Sequence, residues 1–118
     1  MTIQGAPVLT GGQNTLDIEG AQLILDAGAA PVCTGGKSYG AYLDVSQEGL
    51  VISGGKFSGA EYGLQVGEGI TGLTITGGTF TGTEYSGVEL LSAATITGGT
   101  FTGGLAGAYL VEPKSDEV

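Results

Sequence analysis

The 118 residues carry twelve acidic side chains against three lysines, with no arginine, histidine or tryptophan, for a net charge of −9. That balance excludes a chain built to neutralise nucleic-acid phosphates or to adsorb on anionic lipid, both of which need Lys or Arg; without histidine, Ser–His triads and histidine-ligated metals are excluded too. Twenty-five glycines argue against a helical protein, since each weakens a helix interior by about 1 kcal/mol relative to alanine, while the regular return of Ile, Leu, Val and Thr between them argues against disorder.

The N-terminal stretch MTIQGAPVLTGG has neither a basic n-region nor an apolar h-region, so no signal peptide is visible. No apolar run approaches the roughly 20 residues that span a bilayer, and no membrane insertion is expected. These features suit an intracellular or virion-associated protein if the chain is complete, and a surface or secreted protein if it is a segment of a larger one. Cys33 is the single cysteine, so no intrachain disulfide can form.

Along the chain an apolar–hydroxyl–Gly–Gly unit returns at Leu9-Thr10-Gly11-Gly12, Cys33-Thr34-Gly35-Gly36, Ile52-Ser53-Gly54-Gly55, Ile75-Thr76-Gly77-Gly78 and Ile96-Thr97-Gly98-Gly99. First glycine to first glycine, the spacings are 24, 19, 23 and 21. Between these units lies a second cassette, a glycine followed by period-2 alternation: Gly40-Ala41-Tyr42-Leu43-Asp44-Val45, Gly63-Leu64-Gln65-Val66, Gly87-Val88-Glu89-Leu90 and Gly107-Ala108-Tyr109-Leu110. Alternation of this kind marks a half-buried strand. Each repeat therefore holds at least two short strands joined at glycine corners.

A leucine-rich repeat is excluded by the missing leucine ladder and asparagine, and a calcium-binding nonapeptide roll by the absence of Asp soon after Gly-Gly. A single-stranded parallel β-helix of about five coils fits, each coil stacking on the previous one at about 4.8 Å. The sequence predicts one β-solenoid domain over 1–118, with coils spanning 8–111 and a polar tail at 112–118. Ile52, Ile75 and Ile96 should face inward, with Leu50, Leu73 and Ala94 two residues earlier on the same face. Phe57, Phe80 and Phe101 should stack after the corner. Cys33 falls in the slot that isoleucine or leucine holds in other copies, as a buried structural thiol; a reactive cysteine would need a cationic or histidine neighbour.

The ITGGTF and ISGGKF coils resemble right-handed parallel β-helix repeats, a resemblance that covers residues 8–111. Similar units occur in large bacterial surface and secreted proteins, including carbohydrate-binding and adhesin-type segments, and the resemblance implies a right-handed solenoid with a binding or scaffolding role. Enzymes of this superfold use acidic clusters with calcium, plus Arg or Lys near the scissile bond. Here arginine is missing and Lys37, Lys56 and Lys114 are scattered, so neither catalysis nor a cofactor or metal is expected.

Four surface features remain. Threonine columns (Thr74/Thr95, Thr76/Thr97, Thr79/Thr100, Thr81/Thr102) span two well-matched coils, and Val51, Ser53, Lys56 and Ser58 interrupt them in the preceding one, too short an array for ice binding; stacked threonine is in any case favourable on a strand surface. Glu61-Tyr62 and Glu84-Tyr85, with Tyr39 nearby, form a candidate tyrosine strip beside carboxylates, where sugars could stack on rings while acids accept their hydroxyls. The plainer alternative is that the rings cover a coil corner. Asp44, Gln65, Glu89 and Tyr109 read as an outward column which, with Asp17, Glu19, Glu61 and Glu84, could present spaced negative charge. Such an array would either imitate a phosphate ladder toward a basic partner protein, with Asp44, Glu61, Glu84 and Glu89 as its contacts, or simply discourage edge-to-edge association. The tail reads as a polar, non-stacking end. Finally, uncapped coil ends make homo-oligomerisation through ends or faces plausible. The leading expectation is a non-enzymatic module binding a surface carbohydrate; the alternatives are the acidic decoy and a self-assembling structural protein.

Overall fold

The computed structural model describes residues 2–19, 22–26 and 28–110, and none of these is helical. The chain is a β-solenoid of about five coils, with every strand pair parallel. Two five-stranded sheets run the length of the solenoid. One is made of Val8–Thr10, Val32–Gly36, Lys56–Gly59, Thr79–Gly82 and Thr100–Gly103; we call it the phenylalanine face. The other, the tyrosine face, is made of Asn14–Glu19, Tyr39–Asp44, Tyr62–Val66, Ser86–Leu90 and Ala106–Leu110. Smaller ladders complete the circuit: Thr2–Ile3 with Ile24–Leu25, Gln47–Glu48 with Ile70–Thr71, and Val51–Ile52 with Leu73–Ile75 and Ala94–Ile96. The first coil thus starts at Thr2 rather than at residue 8. Residues 111–118, which include the expected tail, lie outside the described residues.

Strand alternation sends every second side chain inward, where like stacks on like. The Phe57, Phe80 and Phe101 rings lie parallel at 5.1 and 4.9 Å between centroids, with 6° between planes in both steps. Leu50, Ile52, Leu73 and Ile75 are buried as expected. Ile96 is not: it is 40% exposed, because it belongs to the last described coil, where no further described strand covers it.

Register corrects the repeat at its N-terminal end. Cys33 pairs with Leu9 below and with Phe57 above, and Gly36 pairs with Gly59. The first two apolar–hydroxyl–Gly–Gly units therefore belong to the phenylalanine face, one strand later in the coil than the Ile52, Ile75 and Ile96 units. Along the true column Leu9–Cys33–Phe57–Phe80–Phe101 the steps are 24, 24, 23 and 21 residues. The anomalous 19-residue spacing was a change of phase, not a short coil. Cys33 fills a phenylalanine slot, not an isoleucine one. It is fully buried, and burial pushes its thiol up to about 11, which matches the inert structural role expected of it.

Two corners of the fourth coil change length, and both bear on the surface. Tyr62 pairs with Ser86 while Gly59 pairs with Gly82, so the fourth coil has one extra residue entering the tyrosine face. On leaving it the same coil is three residues short, because Val66 pairs with Leu90 whereas Leu73 pairs with Ala94. The short corner has no strand like Ile70–Thr71; instead the Ser92 hydroxyl donates to the Ile70 carbonyl at 2.6 Å. Within that ladder the Gln47 side-chain amide does similar work toward the coil below, accepting from the Leu23 N–H at 2.9 Å and donating to its carbonyl at 2.6 Å. Unpaired backbone groups are thus met by side chains where the coil has no strand to offer.

Glycine is required where the two long faces meet. A Cβ on Gly63 would stand 2.6 Å from the carbonyl oxygens of Gly87 and Phe57, and one on Gly87 would stand 2.5 Å from that of Phe80. No rotamer relieves a clash at Cβ, so the column Gly40, Gly63, Gly87 and Gly107 is set by close backbone approach.

Candidate functional site: the tyrosine face

All five tyrosines of the chain lie on the tyrosine face or at the corner leading into it. Tyr39 and Tyr62 are ladder partners and stack with centroids 5.4 Å apart and planes 15° apart. Tyr85 comes from the lengthened corner. Although Glu84-Tyr85 repeats Glu61-Tyr62, the extra residue moves Tyr85 one rung back, and its N–H bonds to the Glu61 carbonyl. Its ring still reaches Tyr62, at 5.4 Å and tilted by 32°. At the other end Tyr42 meets Tyr39 at 5.4 Å, tilted by 36°. Four rings therefore form one contiguous ladder, Tyr85–Tyr62–Tyr39–Tyr42.

The interior of this ladder is saturated. Tyr39 and Tyr62 present faces to each other, and their hydroxyls are engaged. Gln65 Nε2 donates to Tyr39 Oη at 3.3 Å and to Glu89 Oε1 at 2.6 Å. The Tyr62 hydroxyl also hydrogen-bonds the Glu89 carboxylate. Strand alternation points Glu89 outward, yet it is only 9% exposed; Tyr62 and Gln65 supply the donors that a covered carboxylate needs. Burial and then the Glu89 charge push the Tyr62 phenol up to about 12. Tyr39 is raised for the same two leading reasons. Tyr42 is raised by burial and by Asp44, Glu19 and Asp17.

The expected outward column differs in one member. Tyr42, not Asp44, pairs with Gln65, and the column runs Asp17, Tyr42, Gln65, Glu89, Tyr109. Asp44 pairs with Glu19 two residues further along the strand. The reason is again phase: the Gly40 cassette aligns through Leu43 with Val66, which puts Asp44 level with Gly67. Tyrosine and glutamine interrupt the acids of this column, so it does not repeat a charge, and one of its acids is covered. Asp17 and Glu19 do interact, and the Glu19 carboxyl is raised mainly by a hydrogen bond to Asp17 and by its charge. Among the described residues no cluster of three or more Asp, Glu or Cys side chains has the geometry to hold a metal ion.

Sequence reasoning picked out Tyr39, Glu61, Tyr62, Glu84 and Tyr85, and three of these rings touch in sequence along the ladder. It passed over Tyr42 as a platform, because strict period-2 alternation sends Tyr39 and Tyr42 to opposite faces; in the structure Gly40 and Ala41 are both buried between them, which leaves both rings on the outside. It also missed the depression beside Tyr42. That groove has a volume of about 460 Å³ and is lined by Tyr42, Asp44, Val45, Ser46, Gly67, Glu68, Gly69 and Leu91. It lies at the corner where the fourth coil is three residues short. No family model, curated protein or solved structure matches this chain.

Proposed function

We propose that the chain is a non-enzymatic solenoid module that binds carbohydrate on its tyrosine face. The observation that carries this reading is the four-ring ladder, whose two end rings are tilted out of the stack. Inside the stack, ring faces are spent on one another. At the ends, Tyr85 is 39% exposed beside Glu84, and Tyr42 borders an open groove beside Asp44. A tilted, accessible ring is a platform for the C–H face of a pyranose. Neighbouring carboxylates accept the hydroxyl hydrogens, the usual union of apolar surface with a few placed polar groups. The solenoid supplies rigidity, since the rings stand on strands locked into a continuous ladder, and pre-organisation limits the entropy lost on binding.

An acidic decoy for a nucleic-acid-binding protein draws less support. Such a surface needs repeated charge at phosphate-like intervals, whereas here tyrosine and glutamine interrupt the acids and Glu89 is covered.

A glycan array tests the choice. Binding that persists from low to high salt and disappears in the Tyr42→Ala/Tyr85→Ala double variant supports the carbohydrate reading. Absence of any glycan binding, with salt-sensitive capture of a basic protein that DNA displaces, would replace it by the decoy.

A further inference from the structure

We infer that the groove beside Tyr42 is the principal sugar subsite and that it selects neutral glycans over acidic ones. This rests on the carbohydrate reading above and narrows it to one end of the ladder. The groove's shape follows from the coil geometry. A Cβ on Gly69 would stand 2.5 Å from the Val45 carbonyl, and one on Gly67 would stand 3.0 Å from that of Leu43. Stacking on the coil below therefore keeps the floor bare of side chains. The wall that the next coil would have raised is lowered by its three-residue-shorter corner at Leu91. At about 460 Å³, the depression falls within the range of small-molecule sites.

Its chemistry is equally one-sided. Tyr42 provides the only aromatic ring in the lining, while Asp44 and Glu68 provide carboxylate acceptors and Ser46 a hydroxyl. A ligand with an apolar face and several hydroxyl donors satisfies all of these. An anionic sugar does not: a uronate or sulfate would meet Asp44, Glu68 and, along the ladder from Asp44, Glu19, and like charges this close are strongly repulsive when water is displaced.

The test is isothermal titration of the full chain with short oligomers of cellulose, laminarin, mannan and galactan, all neutral, and of polygalacturonate, which is anionic. The expected result is binding of at least one neutral oligomer and none of polygalacturonate. Tyr42→Ala and Glu68→Gln should each weaken that binding by about tenfold or more. Tyr42→Phe, which keeps the ring, should preserve it. Neutral binding lost in Tyr85→Ala but untouched by Tyr42→Ala and Glu68→Gln would overturn the groove and leave the carbohydrate reading standing. Preference for polygalacturonate would overturn the selectivity. Failure of every oligomer to bind would overturn both. Unchanged circular dichroism and melting of Tyr42→Ala would show that a loss comes from the site and not from unfolding.

Discussion

Two aromatic ladders climb this solenoid, one inside and one outside, and they are built differently. The inner rings, Phe57, Phe80 and Phe101, come from near-identical cassettes and stack with planes only 6° apart. The outer rings come from positions where the copies diverge, and successive planes differ by 15° to 36°. Inside, translation from coil to coil must be uniform because every gap has to be filled. Outside, solvent tolerates a corner one residue longer or three residues shorter. That tolerance lets the surface acquire tilted rings and a groove while the three-phenylalanine stack runs on through the same coils. Regularity builds the scaffold, and departure from it tilts the outer rings and opens the groove.

The comparison is broken most directly from the inside. Phe80→Ala removes a fully buried ring with a neighbour on both sides and should lower unfolding stability by about 3–5 kcal/mol, measured by chemical denaturation. Phe101→Ala, half-buried in the last described coil, should cost distinctly less. Equal losses at the two positions would mean that the last coil is covered in solution by something else. Gly87→Ala comes next: its Cβ would press on the Phe80 and Gly107 carbonyls, and a cost of about 1–3 kcal/mol is expected.

On the outer ladder the effects are smaller and more specific. Tyr62→Phe deletes the hydroxyl that serves Glu89 and should cost about 1 kcal/mol, without disturbing the glycan binding proposed for the ladder ends. The same phenol sets a pH dependence. Its folded value of about 12 lies above the ordinary 10, so the folded state favours the neutral form. The stability it contributes is full below pH 10 and is lost as pH rises from about 10 through about 12. Ultraviolet titration of tyrosinate should show a late-ionising step that is absent in Tyr62→Phe; if all five tyrosines ionised together near the ordinary value, the covered Tyr62–Glu89 pair would be wrong. At the bottom of the scale, Thr95→Val on the exposed threonine column should change stability by less than about 0.5 kcal/mol. Cys33 should resist thiol reagents until the chain is unfolded, because its thiolate is disfavoured by burial and out of reach.

How much of this was legible beforehand follows the same division. The cassettes TITGGTFTG at 74–82 and 95–103 predicted stacked coils and the phenylalanine column, since near-identity over nine residues leaves little choice of register. The first two coils were misphased because Leu9-Thr10-Gly11-Gly12 and Cys33-Thr34-Gly35-Gly36 look like the later units, yet their glycines follow the phenylalanine-slot residue instead of preceding it. The Glu61-Tyr62 and Glu84-Tyr85 repeat misled in the same way, as one inserted residue put identical dipeptides on different rungs.

Composition and periodicity by themselves determined the solenoid, the inward apolar columns and the glycine corners. These are properties of single strands and tight corners, and they depend on residue type and local spacing. Only the tertiary structure decided which rung each residue occupies, because register is a contest among whole coils that backbone hydrogen bonds and core fit settle together. It therefore decided that Tyr42 rather than Asp44 stands beside Gln65, that Cys33 lies beneath Phe57, and that a groove opens where the fourth coil turns its corner early.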